Sequence, residues 1–329
     1  MKAIKFFAIT TMAAAMITSC STDDELSQSN YPSDNIVRVT AGVNNAKTRA
    51  DGAGTTLEKP LSLTVVNKNA AKYTYVDKEF SKTSGDWACS ETLLWQSSDT
   101  LVDIVAFAPA QKDKFNGVYA EGSIKPITYS VADDQSTSSD NNDLLYYYAK
   151  DFNPGTSLVN KKLSIQFNHA FCMIDIVVTL GTEFNKPKVL DDSPIVKVTL
   201  GGTKIEANVD VTNAATTAAS VVTASETAAA TDITTTKGTF DKAANEEANA
   251  KSYFSCIAIP QKVGANTFKV SLMTAGKRYE WTSDKEITLQ SGYRYTLELT
   301  MGNDVVLLKG GSITATPWGP GTGGSLETE

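Results

Sequence analysis

Histidine is nearly absent, and its scarcity excludes several kinds of chemistry. Among 329 residues the only histidine is His169. One histidine cannot form a two-histidine metal motif, and it leaves a single candidate base for a Ser-His-Asp triad. No G-x-S-x-G elbow supplies the serine partner, and no G-x-x-x-x-G-K-[ST] phosphate loop is present. We therefore expect neither an enzyme nor a cofactor, and interpret His169 as a strand-end histidine bonded to the backbone.

Cysteine is also scarce. Beyond Cys20 the sequence contains only Cys89, Cys172 and Cys256. Three widely spaced thiols exclude a disulfide framework and a cysteine-based zinc site, so no metal is expected. Free cysteine in an apolar run is usually a small buried residue, and we predict that all three lie in the core. The spacing does not show which pair, if any, forms a disulfide.

An excess of basic charge is missing as well. The formal net charge is −7, so the sequence does not predict a phosphate-binding surface or a nucleic-acid partner. Three acidic pairs, which are candidates for glycoside chemistry, lie in polar loop contexts: Asp133-Asp134, Asp191-Asp192 and Glu246-Glu247. We interpret each as a solvated surface pair.

No apolar run is long enough to cross a bilayer, which needs about 20 residues. Lys2 and Lys5 precede a short apolar run over residues 6–17, as in a signal peptide. The next residues, Thr18-Ser19-Cys20, resemble a bacterial lipobox, which implies removal of residues 1–19 and lipidation of Cys20. An ordinary secretory signal with an incidental cysteine is the alternative.

Residues 20–35 are polar and predict a tether. Its acidic start, residues 21–25, is similar to the surface-export signal of lipoproteins in Bacteroidota-type outer membranes. A simple solvated tether is compatible with the same residues. We expect a surface-exposed lipoprotein of the cell outer membrane.

After the tether, apolar and polar residues alternate with a period of two. Examples are Val37 to Val43, Leu61 to Val65, Leu163 to Phe167 and Tyr293 to Met301. This alternation predicts half-buried antiparallel strands, and the many short strands predict an all-β protein of β-sandwiches. The alternation changes phase between Phe171 and Ile174, which indicates a tight corner or a bulge that closes the first domain.

Length and composition predict two domains, on a prior of about 150 residues each. Polar residues 183–193 suggest a crossing, so we assign residues 36–182 to an N-terminal and 183–329 to a C-terminal β-sandwich. Residues 212–250, rich in Ala and Thr, predict a long mobile surface insertion with one weak strand near Ile233. The tail, residues 319–329, is expected to be flexible.

An ordered series of short motifs resembles the fimbrillin family, the lipoprotein pilins of type V fimbriae. It comprises Trp87, Leu93-Leu94-Trp95, Val105 to Pro109, Asn142 to Leu145, Leu163 to Ala170, Ile259-Pro260-Gln261, Tyr279-Glu280-Trp281, Ser291 to Tyr295 and Ile313 to Trp318. Together the motifs span most of the chain after the tether. The resemblance implies two tandem transthyretin-like β-sandwich domains and a place in a fimbrium.

The resemblance also implies assembly by strand exchange. A protease would cut between Arg49 and Ala50 and release the strand at residues 36–43, after which the empty groove would accept a segment of a neighbouring subunit. Without the resemblance, Arg49 would be interpreted as an exposed arginine in a loop. The only apolar candidates for a donor after Met301 are residues 305–308 and 313–315, and the candidate donor positions within them are Val305, Leu307, Ile313 and Ala315. If residues 305–318 stay in their own domain, the subunit accepts a strand without giving one.

We therefore expect a non-catalytic fimbrial, tip or accessory subunit that serves adhesion. Its partners would be other pilin subunits in a homo- or hetero-polymer, the outer membrane through the lipid, and ligands on host or bacterial surfaces. A glycan-binding lipoprotein of a nutrient-uptake system, using Trp318 or Tyr147, is the alternative. A secreted hydrolase is the third.

Overall fold

The structure, a computed structural model, describes residues 30–44, 57–137, 142–186, 188–215, 221–303, 305–308 and 313–318. Nearly all regular structure in these ranges is β-strand, which confirms the predicted all-β class. The first ten strands are β1 Val39–Val43, β2 Leu61–Asn67, β3 Tyr75–Thr83, β4 Asp86–Cys89, β5 Val102–Ala108, β6 Tyr119–Ala120, β7 Ser123–Ile124, β8 Ile127–Ser130, β9 Leu145–Phe152 and β10 Leu163–His169.

The other described strands are β11 Cys172–Leu180, β12 Ile195–Gly201, β13 Glu206–Val209, β14 Val222–Ala224, β15 Ile233–Thr234, β16 Thr236–Asp241, β17 Lys251–Ala258, β18 Lys262–Val263, β19 Lys269–Thr274, β20 Arg278–Thr282, β21 Ile287–Thr288, β22 Tyr293–Met301, β23 Val306–Leu308 and β24 Thr314–Pro317. A single-turn helix, α1, covers Pro154–Ser157, and the Asn153 side chain caps it by accepting from the Gly155 amide. No helix in the described ranges has the length and apolarity that a membrane crossing requires.

The first sheet has seven strands in the order β1-β10-β9-β5-β2-β3-β4. It curls until its two edge strands, β1 and β4, approach each other. One face encloses a hydrophobic core that includes Leu63, Ile104 and Ile165. Because neighbouring residues in a strand point to opposite faces, Val105 and Phe107 of β5 instead join a second core with the C-terminal half.

The second sheet has the order β16-β17-β11-β22-β23, and β24 joins β22 beside β23. A four-stranded sheet, β15-β12-β19-β20, and a three-stranded sheet, β14-β13-β8, complete the larger second core. Strand β8 comes from the N-terminal half and pairs with β13 from the C-terminal half. The two halves of the chain therefore share a sheet as well as a core.

Two pairings differ from the predicted antiparallel arrangement. Strand β1 runs parallel to β10, and β11 runs parallel to β22. Parallel neighbours need a long connection, and in both cases many strands intervene in the sequence. The period of a strand reveals which side is buried but not the direction of a distant partner.

The phase change near residue 171 marks a real corner, as predicted. Strand β10 ends at His169 and β11 begins at Cys172. The corner moves the chain into a different sheet, since both neighbours of β11, β17 and β22, belong to the C-terminal half. The predicted division after residue 182 thus follows β11, whose two described partner strands both come later in the chain. The number of domains and their transthyretin-like topology stay predictions.

The described part of residues 212–250 differs from the expected surface insertion. It contains three strands, β14, β15 and β16, instead of one. Val221, Val222 and Ile233 are buried in the second core, as are Ala243 and Ala250. A few apolar residues in an Ala- and Thr-rich stretch suffice to bind it to the rest of the fold, because each buried aliphatic side chain contributes about 1.5–3 kcal/mol.

Candidate functional site

Strand β1 and the residues just before it, 35–38, occupy a slot that is bordered on both sides. On one side it pairs in parallel with β10, from Val39 opposite Leu163 to Val43 opposite Phe167. On the other side the residues just before it pair with Leu93-Leu94-Trp95. We call the space between β10 and residues 93–95 the β1 slot. A segment in this slot closes the curled first sheet.

Backbone hydrogen bonds hold both borders of the slot. The Val37 amide donates to the Leu93 carbonyl at 2.9 Å, and the Trp95 amide donates to the Asn35 carbonyl at 2.8 Å. Toward β10, the Leu163 amide donates to the Arg38 carbonyl at 2.7 Å. Removal of β1 together with residues 35–38 would therefore leave unpaired donors and acceptors along two edges, as an edge strand of a sheet does.

Alternate side chains of this N-terminal strand fill the first core. Val37, Val39 and Val43 are almost fully buried, while Thr40 between them is exposed. They pack with the core residues of β10, which are Leu163, Ile165 and Phe167. Burial of each valine is worth about 1.5–3 kcal/mol, so an empty slot would expose a strongly apolar trough.

Polar contacts fix the two ends of the strand at the surface. The Arg38 guanidinium donates to both carboxylate oxygens of Asp34, at 2.9 and 2.6 Å. This hydrogen bonding, with a further bond from the Ile36 amide, lowers the pKa of Asp34 well below its usual range. At the other end the Asn44 side-chain amide donates to Asn168 Oδ1 at 3.0 Å. Of these contacts, the bond from Asn44 ties the strand to β10.

The predicted processing residues lie outside the described ranges. Cys20 precedes the first described residue, and Arg49 and Ala50 fall between the two described residues Asn44 and Leu57. Lipidation at Cys20 and cleavage after Arg49 stay predictions. In the sequence, Arg49 follows the last residue of β1, Val43, by six positions.

The four candidate donor residues divide into two groups. Val305 and Leu307 are exposed, at 50% and 59%, whereas Ile313 and Ala315 are buried against the second core. Strands β23 and β24 lie one after the other along the same edge of β22. We call residues 305–308 and 313–318 the C-terminal segment. In this structure it completes its own subunit, so its use as a donor requires that it first detach.

His169 lies at the end of β10 and contacts the end of the C-terminal segment. Its ring stacks on that of Trp318, with centroids 3.9 Å apart and planes 10° apart. His169 Nδ1 is 2.8 Å from a carboxylate oxygen of Asp143. The expected backbone partner is thus replaced by a carboxylate and an indole face. Nothing in the sequence indicates this cluster, because its members are joined only by the fold.

The residues of the other hypotheses do not form an open site. Trp318 is buried under His169, and Tyr147 of β9 is half-buried against the first core. Among the acidic pairs, Asp191 lies against Lys188 and Lys242, and Asp192 against Lys237. Hydrogen bonding to lysine lowers the pKa of Asp191. Such exposed ion pairs agree with the prediction of solvated surface pairs.

Cys89, Cys172 and Cys256 are not joined in a disulfide in the described part of the chain. Cys172 and Cys256 are buried as predicted, and burial raises the pKa of the Cys172 thiol. Cys89, at the end of β4, is only half-buried, which differs from the expected core position. Within the described part of the chain, no three His, Cys, Asp or Glu side chains are grouped to hold a metal ion.

These features define an all-β protein whose first sheet is closed by its own N-terminal strand. The chain belongs to the fimbrillin-like family, whose sequence model matches residues 48–318. A search of curated proteins finds no match. Membership of this family supports a fimbrial subunit role at the cell surface and association with other pilin subunits.

Solved structures share the fold at low sequence identity. A candidate cell adhesion protein from Bacteroides ovatus has a TM-score of 0.59 at 17% identity, covering 84% of this chain and 96% of that one. A candidate cell adhesion protein from Bacteroides uniformis has a TM-score of 0.56 at 15% identity, covering 87% and 99%. A fimbrial protein from Bacteroides vulgatus has a TM-score of 0.52 at 15% identity, covering 86% and 99%.

Proposed function

We propose that this chain is a non-catalytic fimbrial subunit that assembles by accepting a strand from another subunit. It serves adhesion as a stalk, tip or accessory subunit, anchored to the outer membrane before maturation through a lipid on Cys20. The observation that carries the proposal is the two-sided β1 slot. Family membership supports the same assignment.

In this proposal a cut after Arg49 is the first step. It severs β1 from β2, after which β1 is held only by hydrogen bonds and by its buried valines. A strand of another subunit then replaces β1, because it restores both rows of backbone hydrogen bonds and the burial of the trough. The replacement needs an extended segment with an apolar side chain at every second position.

The C-terminal segment is the candidate donor within this chain. Val305 and Leu307 already face solvent, while Ile313 and Ala315 would have to leave the second core. A subunit whose C-terminal segment stays attached accepts a strand and gives none, which is the behaviour of a terminal subunit. Adhesion ligands on host or bacterial surfaces belong to this proposal as partners of the assembled fimbrium.

The cut at Arg49 is tested by the N-terminus of protein recovered from intact cells. We expect mature chains to begin at Ala50 and boiling-resistant ladders to appear on gels. Arg49→Ala should abolish both, whereas the matched change Lys47→Ala, two residues earlier in the sequence, should leave both intact. Ladders of unchanged intensity from Arg49→Ala protein would contradict the proposal.

A further inference from the structure

The C-terminal segment ends on a contact that does not belong to its own sheet. Strand β24 pairs with β22, but the next residue, Trp318, stacks on His169 at the end of β10 in the first sheet. The segment is thus attached to both halves of the protein. Among the described contacts, this aromatic pair joins the segment to the first sheet.

The His169 ring is held in place from several directions. Its Nδ1 is hydrogen-bonded to Asp143, whose side chain is mostly buried, at 2.8 Å. The backbone just after it is fixed too, because the Ala170 amide donates to the Leu144 carbonyl at 2.8 Å. A ring that is fixed before contact loses little freedom when an indole packs on it, which favours binding.

Backbone hydrogen bonds also fix the position of Trp318. Its backbone amide donates to the Gly292 carbonyl at 2.7 Å, and the Gly292 amide donates to the Phe171 carbonyl at 2.9 Å. Gly292 has a φ of 71°, a conformation that favours glycine, and it lies close to the His169 backbone. These bonds bring the indole, which is 4% exposed, flat against the imidazole.

From this geometry we infer that Trp318 and His169 form a latch that holds the C-terminal segment on its own subunit. The inference rests on the proposed function, in which that segment is the candidate donor. Opening of the latch precedes any transfer of the segment to a second copy. Asp143 is a positioning residue, since it touches His169 and not Trp318 in the contacts that define the latch.

The latch is adjacent to the acceptor slot. Asn168, the neighbour of His169 in β10, accepts the hydrogen bond of Asn44 at the end of the N-terminal strand. The same end of β10 therefore contacts both the strand that must leave and the segment that must be given. In the inferred scheme, donor release and slot opening therefore both break contacts at this end of β10.

Hydrogen exchange of the intact, uncut protein tests the latch without any assembly. Amides of residues 313–318 should exchange about 2- to 12-fold faster in His169→Ala, the range expected for loss of one aromatic pair. They should exchange faster still in Trp318→Ala, because this change also removes a buried side chain from the second core. The double variant should be no faster than Trp318→Ala alone. Leu307→Ala, an exposed position in the same segment, is the control and should leave these amides unchanged.

Two results would overturn the latch. One is unchanged exchange of residues 313–318 in both single variants; the other is effects that simply add in the double variant.

A second measurement uses protein cut after Arg49. Here His169→Ala, which leaves the donor sequence intact, should speed ladder formation by a factor similar to that seen in exchange, and no acceleration would overturn the link to assembly. If neither wild type nor variant forms ladders, the proposed function fails while the exchange result still decides the latch.

Discussion

The two ends of the chain both complete sheets, but they do so differently. The N-terminal residues 35–43 are bonded on both sides, since residues 35–37 pair with residues 93–95 and β1 pairs with β10, and Val37, Val39 and Val43 are buried. The C-terminal segment instead pairs with a single strand, β22, and its Val305 and Leu307 are exposed. An empty β1 slot would expose unpaired backbone groups on two sides and an apolar trough, so the slot favours being occupied by a strand, either its own or that of another subunit. A one-sided position suits a segment that can detach at lower cost.

The largest expected effect is on the two-sided strand. Val39→Asp places a carboxylate in the first core, where Val39 is 2% exposed, and should lower the free energy of unfolding by about 3 kcal/mol or more. Urea denaturation measures the change. Thr40→Asp, at the exposed neighbouring position, should change stability by less than about 0.5 kcal/mol. Equal losses in the two variants would show that β1 is not seated as described.

A smaller effect is expected in the C-terminal segment. Ile313→Ala removes a buried side chain just before β24 and should cost about 2 kcal/mol, as large-to-small changes in a core do. Because the segment is bonded on one side, the loss should appear as faster hydrogen exchange confined to residues 313–318. Val305→Ala should change little. A global loss of protection in Ile313→Ala would mean that the two ends do not differ in this way.

The smallest effect concerns the entrance of β1. The folded pKa of Asp34 is lowered by Arg38, so its contribution to stability is present above the ordinary carboxyl pKa of about 3.9 and is lost as the pH falls. Asp34→Asn should remove this part of the acid sensitivity of stability. Because the variant also lacks the ion pair at neutral pH, amides of residues 36–38 should exchange faster there. Asp284→Asn, an exposed aspartate in the C-terminal half, should not. Identical acid profiles of wild type and Asp34→Asn would contradict the role of the pair.

The strands were predictable where the alternation was clean. Three of the predicted runs contain strands with the expected side buried: Val39 to Val43, Leu163 to Phe167 and Tyr293 to Met301. A period of two depends only on local exposure, so it can be recognised without knowing the partner strand. The fimbrillin-like assignment likewise followed from motifs spread along the chain.

The rest depended on contacts between distant residues. The parallel pairing of β1 with β10 and the bond from Val37 to Leu93 have no local sequence signal. The stacking of Trp318 on His169 also has no local sequence signal. In residues 212–250, Val222 and Ile233 were too isolated among Ala and Thr to predict three strands. Which strands pair depends on contacts between distant residues in the packed fold, and local sequence patterns do not reveal those contacts.

Hydrogen exchange of β10 tests the central claim most directly. Its amides should be protected in the uncut protein, exposed once residues up to Arg49 have been cut off and removed, and protected again in assembled material. That sequence of states would mean that another chain fills the β1 slot. Protection that persists after removal of β1, or that never returns on assembly, would contradict strand replacement as the basis of this protein's function.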